Sequence, residues 1–154
     1  MRFADLPGSV ADVADETSVV GAAVATSSRR RLAYICESAS DGHSLGIVRP
    51  LQLARISAGD KWRPVVVAST WADAARTTTV VRRGGVALVC FKAPFAHNVG
   101  VWRAANMLVF ALRSALLVRR LRLQPGRDLV LTSSTGGFDC VAGLMARARG
   151  TSWV

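Results

Sequence analysis

RRRLAYICESASDGHSLGIVRPLQLARISAGDKWRPVVVA (Arg29–Ala68) holds one complete strand–helix–strand pattern. Leu32–Cys36 is a short apolar run behind three arginines, and it reads as a buried strand. Glu37–Gly46 is a small, polar loop. Ile47, Leu51, Ala54 and Ala58 then recur at helical spacing, with Pro50 tolerated in the first turn and Gly59-Asp60 as the stop. Pro64–Ala68 is a second continuous apolar run. Strands without polar alternation are buried on both faces, which is the mark of a parallel sheet covered by helices.

The same alternation continues. Residues 69–84 are polar and irregular, with Thr77–Val81 as a short β segment inside them. Val86–Phe91 is a third buried strand. The polar loop Lys92–Gly100 leads into a long helix from about Val101 to Leu121. Its apolar positions Val101, Ala105, Leu108, Leu112 and Ala115 recur at three and four residues, and Arg119, Arg120 and Arg122 suit its negative end. Pro125-Gly126 stops it. Asp128–Thr132 is a fourth strand, Ser133–Gly137 a turn rich in N-capping residues, and Phe138–Arg149 a helix. Ser152-Trp153-Val154 begins a fifth strand. The expected fold is α/β: a Rossmann-like, doubly wound, mostly parallel sheet with helices on both faces. Such sheets bind ligands beyond the carboxyl ends of their strands. Here those ends carry loops 37–46, 69–72, 92–100 and 133–137.

Apolar residues make up 51% of the 154, enough to build a core. The net charge is +10, and the cations are arginines apart from Lys61 and Lys92. Neither lysine stands in a GK[ST] setting, so a P-loop is excluded. Two histidines and three scattered cysteines exclude zinc fingers, HExxH metalloproteases and iron–sulfur clusters. Cys36, Cys90 and Cys140 read as buried small hydrophobes in a reducing compartment. Residues 1–28 carry Asp5, Asp12, Asp15 and Glu16 against Arg2 alone, opposite in sign to the rest. They lack the basic start and unbroken apolar stretch of a secretory signal. They read as a flexible leader, and residues 29–154 as one domain.

Within the loops, Gly42 and Gly46 flank His43 and Ser44 ahead of a helix start. The spacing fits a ligand-binding loop or an ordinary turn, and it is not the GxGxxG fingerprint. Arg49 adds a cation there, or a solvated helix residue. His97-Asn98 can hold sugar hydroxyls or move a proton, or simply make a tight turn. Ser133, Ser134, Thr135 and Gly136 can offer hydroxyls and N–H groups to a ligand, or cap a helix. Ala104–Val118 reads first as a core helix. The arginines that follow it make contact with an anionic membrane surface the sharper alternative. Nucleic-acid binding is not expected, because the cations are dispersed and no aromatic stacking motif accompanies them.

Three segments carry a resemblance. Gly46–Ser69 (GIVRPLQLARISAGDKWRPVVVAS) resembles the first helix and second strand of GT-B glycosyltransferases of the large family-four group, with their pattern GxxRPLxxAxxLxxxGWxPxVVTS. Lys92–Gly100 followed by Trp102-Arg103 resembles their PYxNNxGxxxR segment. Asp128–Val154 (DLVLTSSTGGFDCVAGLMARARGTSWV) resembles their DVVxASSPPLxxGLxALxLAxxxGxPFV. The family's Pro-Pro and doubled glycine before the position of Gly46 are Ser40-Asp41 and His43-Ser44 here, with Gly42 as a substitute. The Pro-Pro of the later turn is Thr135-Gly136.

The resemblance implies two Rossmann-like lobes around a cleft, the first receiving the acceptor and the second holding most donor contacts. This chain would then be a partial first lobe, with the donor lobe missing and no activity by itself. The implied reaction moves a sugar from a nucleotide-diphosphate donor to a hydroxyl acceptor, a glycan or lipid-linked sugar, in cell-surface polysaccharide or glycolipid synthesis. Loops 37–46 and 133–137 would face the cleft, Arg49 would support phosphate or loop geometry, and His97 and Asn98 would contact the acceptor. No cofactor or metal is expected, the nucleotide sugar being a substrate. The expected location is the cytoplasm, extending to the inner face of the cell membrane. The rivals are a non-enzymatic basic α/β module for membrane surfaces or nucleic acid, and another Rossmann-like transferase of small molecules.

Overall fold

The computed structural model describes residues 29–37, 48–58, 61–70, 78–83, 85–95, 99–133 and 137–154. The leader expected over residues 1–28 lies outside them. In chain order the elements are β1 (Arg30–Ile35), α1 (Val48–Ser57), β2 (Trp62–Thr70), β3 (Thr79–Arg83), β4 (Val86–Lys92), α2 (Gly100–Arg120), β5 (Leu129–Thr132), α3 (Cys140–Ala148) and β6 (Ser152–Trp153).

The six strands form one sheet in the order β3-β4-β2-β1-β5-β6. Five run parallel, and only β3 is antiparallel, hairpinned onto β4 at the edge. The short β segment expected within residues 69–84 is therefore this edge strand, shifted two residues along. Counted without it, the parallel strands lie third-second-first-fourth-fifth. In register, Ala33 faces Val65 on one side and Val130 on the other.

Period-two alternation sends the strand side chains to two apolar layers. Ala33, Ile35, Val65, Val67, Val89, Phe91 and Val130 meet Phe110, Leu117 and Val118 of α2, and Ala142 and Ala146 of α3. Tyr34, Cys36, Val66, Ala68, Leu88 and Cys90 face the other way, where Ala54 of α1 packs. Helices thus cover both faces of a mostly parallel sheet, as expected. Cys36 and Cys90 are buried, whereas Cys140 is half-buried, and none of the three is in a disulfide.

The expected buried stripe of α2 is corrected. Val101, Leu108 and Leu112 point outward, and Met107, Phe110, Ala111, Ala115, Leu117 and Val118 point to the sheet. The helix is apolar on both sides, so spacing alone offers two stripes. The one holding Phe110 and Leu117 fits the sheet. By length and composition alone α2 could cross a bilayer, but half of that window is buried in the fold.

The amino edge of the sheet is tied by Asp128. Its Oδ1 accepts from Arg31 N–H and its Oδ2 from Gln124 N–H, both at 2.8 Å. The Arg31 guanidinium donates to the Leu121 carbonyl. Asp128 thus precedes the strand rather than starting it. At the other end of α3, Trp153 lies against Gly143, where an added Cβ would stand 2.1 Å from the indole.

Candidate functional site at the carboxyl edge of the sheet

The connection from β1 runs to α1 on one face, and that from β5 runs to α3 on the other. The crossover therefore changes face between these neighbouring strands, the point of an open α/β sheet beyond whose carboxyl ends ligands bind. Ser133 N–H donates to the Ile35 carbonyl at 3.0 Å, so the strands stay paired up to the rim.

Two carboxyl groups meet at that rim. Glu37 is the second residue after β1, and Asp139 the residue before α3. Each is only 3% exposed. Glu37 N–H donates to Asp139 Oδ2 at 3.5 Å. Asp139 stands at the N-cap yet makes no capping bond to its own helix. Gly137 takes φ +80° and a turn follows before the helix begins, so the helix start lies beyond the Ser/Thr run.

Burial, and then the neighbouring Asp139, raise the Glu37 carboxyl to about 7, against the Arg103 guanidinium, which favours its ionised form. Burial also raises Asp139 to about 6, against the hydrogen bond from Glu37 N–H. Glu37 Oε1 is buried and has no hydrogen-bond partner. A buried carboxylate oxygen left open is costly, unless a proton or a ligand's hydroxyl fills the place. The pair therefore holds a proton near neutral pH, titrates as a unit, and can give or accept one at this edge of the sheet.

The loop after β4 leaves the sheet at the same edge. Asn106 of α2 clamps it: Phe95 N–H donates to Asn106 Oδ1 and Asn106 Nδ2 donates to the Phe95 carbonyl, each at 3.0 Å. Arg113 donates to the Lys92 carbonyl at 2.7 Å, and the Phe95 ring lies 4.8 Å from that of Trp102.

Of the residues expected at the site, Ser133 is half-buried at the end of β5. Arg49 lies in the first turn of α1. Gly42, His43, Ser44, Gly46, His97, Asn98, Ser134, Thr135 and Gly136 lie outside the described residues. Glu37 and Asp139 were not singled out from the sequence. Their signal was available in the strand order, which makes the residues after the first and fourth parallel strands neighbours. No known family model, curated protein or solved structure matches the chain.

Proposed function

We propose that this chain is the acceptor-side lobe of a nucleotide-sugar-dependent glycosyltransferase, and that Glu37 and Asp139 receive the acceptor hydroxyl. The observation that carries the reading is the buried, proton-holding carboxyl pair at the carboxyl edge of the sheet, with Glu37 Oε1 unpartnered. The three resembling segments support it by their placement. Gly46–Ser69 spans α1 and most of β2, Lys92–Gly100 leads from β4 into α2, and Asp128–Val154 runs through β5, α3 and β6.

In this reading the acceptor hydroxyl donates to Glu37 Oε1. As its oxygen bonds to the sugar's anomeric carbon, the bond from that carbon to the diphosphate oxygen breaks. The hydroxyl proton passes to ionised Glu37, and the diphosphate leaves with the bonding electrons. A carboxyl near 7 is matched to that transfer at neutral pH. Asp139 tunes it, and Arg103 favours its ionised form. The diphosphate contacts come from a second lobe, as the resemblance implies.

The test is a transfer assay on the two-lobed protein, with a panel of nucleotide sugars and with glycan and lipid-linked acceptors. Glu37→Gln should lower turnover by about 10²-fold while the fold is kept. Wild-type turnover in Glu37→Gln would remove the pair from the reaction. No transfer from any donor would overturn the reading itself.

A further inference from the structure

The outward face of α2 is apolar where a surface helix should be polar. Val101, Leu108 and Leu112 stand exposed along it, Leu108 at 50% and Leu112 at 52%. Ala105 and Leu116 fill the places between at partial exposure. On α3, Val141 and Leu144 are also exposed, Leu144 at 56%. Both helices pack on the same face of the sheet, so their outer sides form one surface. Arginines gather at one end of it. Arg119 and Arg122 end α2, and Arg147 and Arg149 end α3. The two ends are neighbours, because Gly150 lies against Pro125.

We propose that this α2–α3 face docks on an anionic lipid surface. The aliphatic stripe enters the headgroup boundary, and the arginines meet lipid phosphates. Charge selects this occupant over a second copy of the chain. The described acids are Glu37, Asp128 and Asp139, and all three are buried. A copy of the same face therefore offers no described surface carboxylate to these arginines. An acidic protein partner would also meet the charge, but the exposed side chains along the stripe are chiefly aliphatic, with Trp102 and Arg103 confined to its first turn, which suits acyl chains better than the aromatic and polar core of a protein interface. The inference stands apart from the sugar-transfer reading and does not need it.

The experiment is sedimentation of the full chain with vesicles of phosphatidylcholine alone or with about 30% phosphatidylglycerol, at physiological ionic strength. Binding should require the anionic lipid. Leu108→Ser/Leu112→Ser, which leaves charge untouched, should weaken it by about tenfold or more. Arg119→Glu/Arg122→Glu should do the same. Arg55→Glu, on α1 at the opposite face, is the charge control and should leave binding near wild type. Any of three results would overturn the proposal. These are no binding to anionic vesicles, unchanged binding in the serine pair, or greater loss in Arg55→Glu than in the α2 variants. Sedimentation velocity without lipid provides the remaining check. A dimer abolished by the serine pair would assign the face to a second copy instead, and stable capture of an acidic protein in place of vesicles would assign it to that partner.

Discussion

Two buried acids 102 positions apart decide what chemistry this edge of the sheet can do. Their chemistry is set by place and not by residue type, as Asp128 shows. Asp128 is equally buried but accepts two backbone N–H bonds, and it serves to tie the sheet edge. Glu37 has an oxygen with nothing to bond, so burial dominates and its carboxyl rises from the usual 4.5 to about 7. The folded chain therefore keeps protons that the unfolded chain has already released between about pH 4 and 7. Stability from this pair is fullest below the unfolded values and falls as pH rises through 7. Glu37→Gln removes Glu37's share of that loss, the larger one above about pH 6. It should flatten the stability profile between pH 5 and 8 and make the variant more stable than wild type at pH 8, by about 2 kcal/mol. Urea unfolding across that range measures it. A wild-type profile that rises with pH would refute the assignment.

At the scale of elements, strands were more legible than helix faces. Leu32–Cys36, Pro64–Ala68 and Val86–Phe91 could be placed because a run buried on both sides needs no choice of face. α2 required such a choice. Val101, Leu108 and Leu112 have the same spacing as a core stripe, and only the sheet's presence selects Phe110 and Leu117 instead. The loop rule pointed to the right edge of the sheet. It could not pair Glu37 with Asp139, since that contact exists only once β1 and β5 are neighbours. Asn106 was invisible for a related reason: an Asn in a helix becomes informative only when a loop backbone lies against it. Its two bonds to Phe95 give a second prediction. Asn106→Ala leaves a partly buried N–H and carbonyl without partners, at a cost of about 2–3 kcal/mol. Hydrogen exchange at the Phe95 amide should quicken, while protection in β1 and β2 follows the global change alone. An unchanged Phe95 exchange rate in the variant, relative to wild type, would show that Asn106 is not the clamp.

At the scale of the whole molecule, charge and chemistry are separated. The carboxyl edge carries the acid pair. The amino edge carries arginines, because α2 and α3 end there and β1 and β2 begin there. Arg31 faces Arg63 directly across the β1–β2 pair. Partial burial, and then the guanidiniums of Arg82, Arg31 and Arg29, hold Arg63 below the usual arginine range. Burial is the larger cause, and the three like-charged neighbours add repulsion on Arg63 itself. Screening should then help the fold. Raising sodium chloride from about 20 to about 300 mM shortens the Debye length from roughly 20 Å to under 6 Å, less than the width of the arginine cluster. The expected result is a rise in melting temperature of about 2–4 °C, corresponding to about 1 kcal/mol for a chain of this size. Arg63→Gln should have part of that gain already at low salt and respond less to added salt. The comparison separates local repulsion from a general salting effect, which would raise both proteins equally. A melting temperature that falls with salt would mean that attraction, and not repulsion, governs this edge.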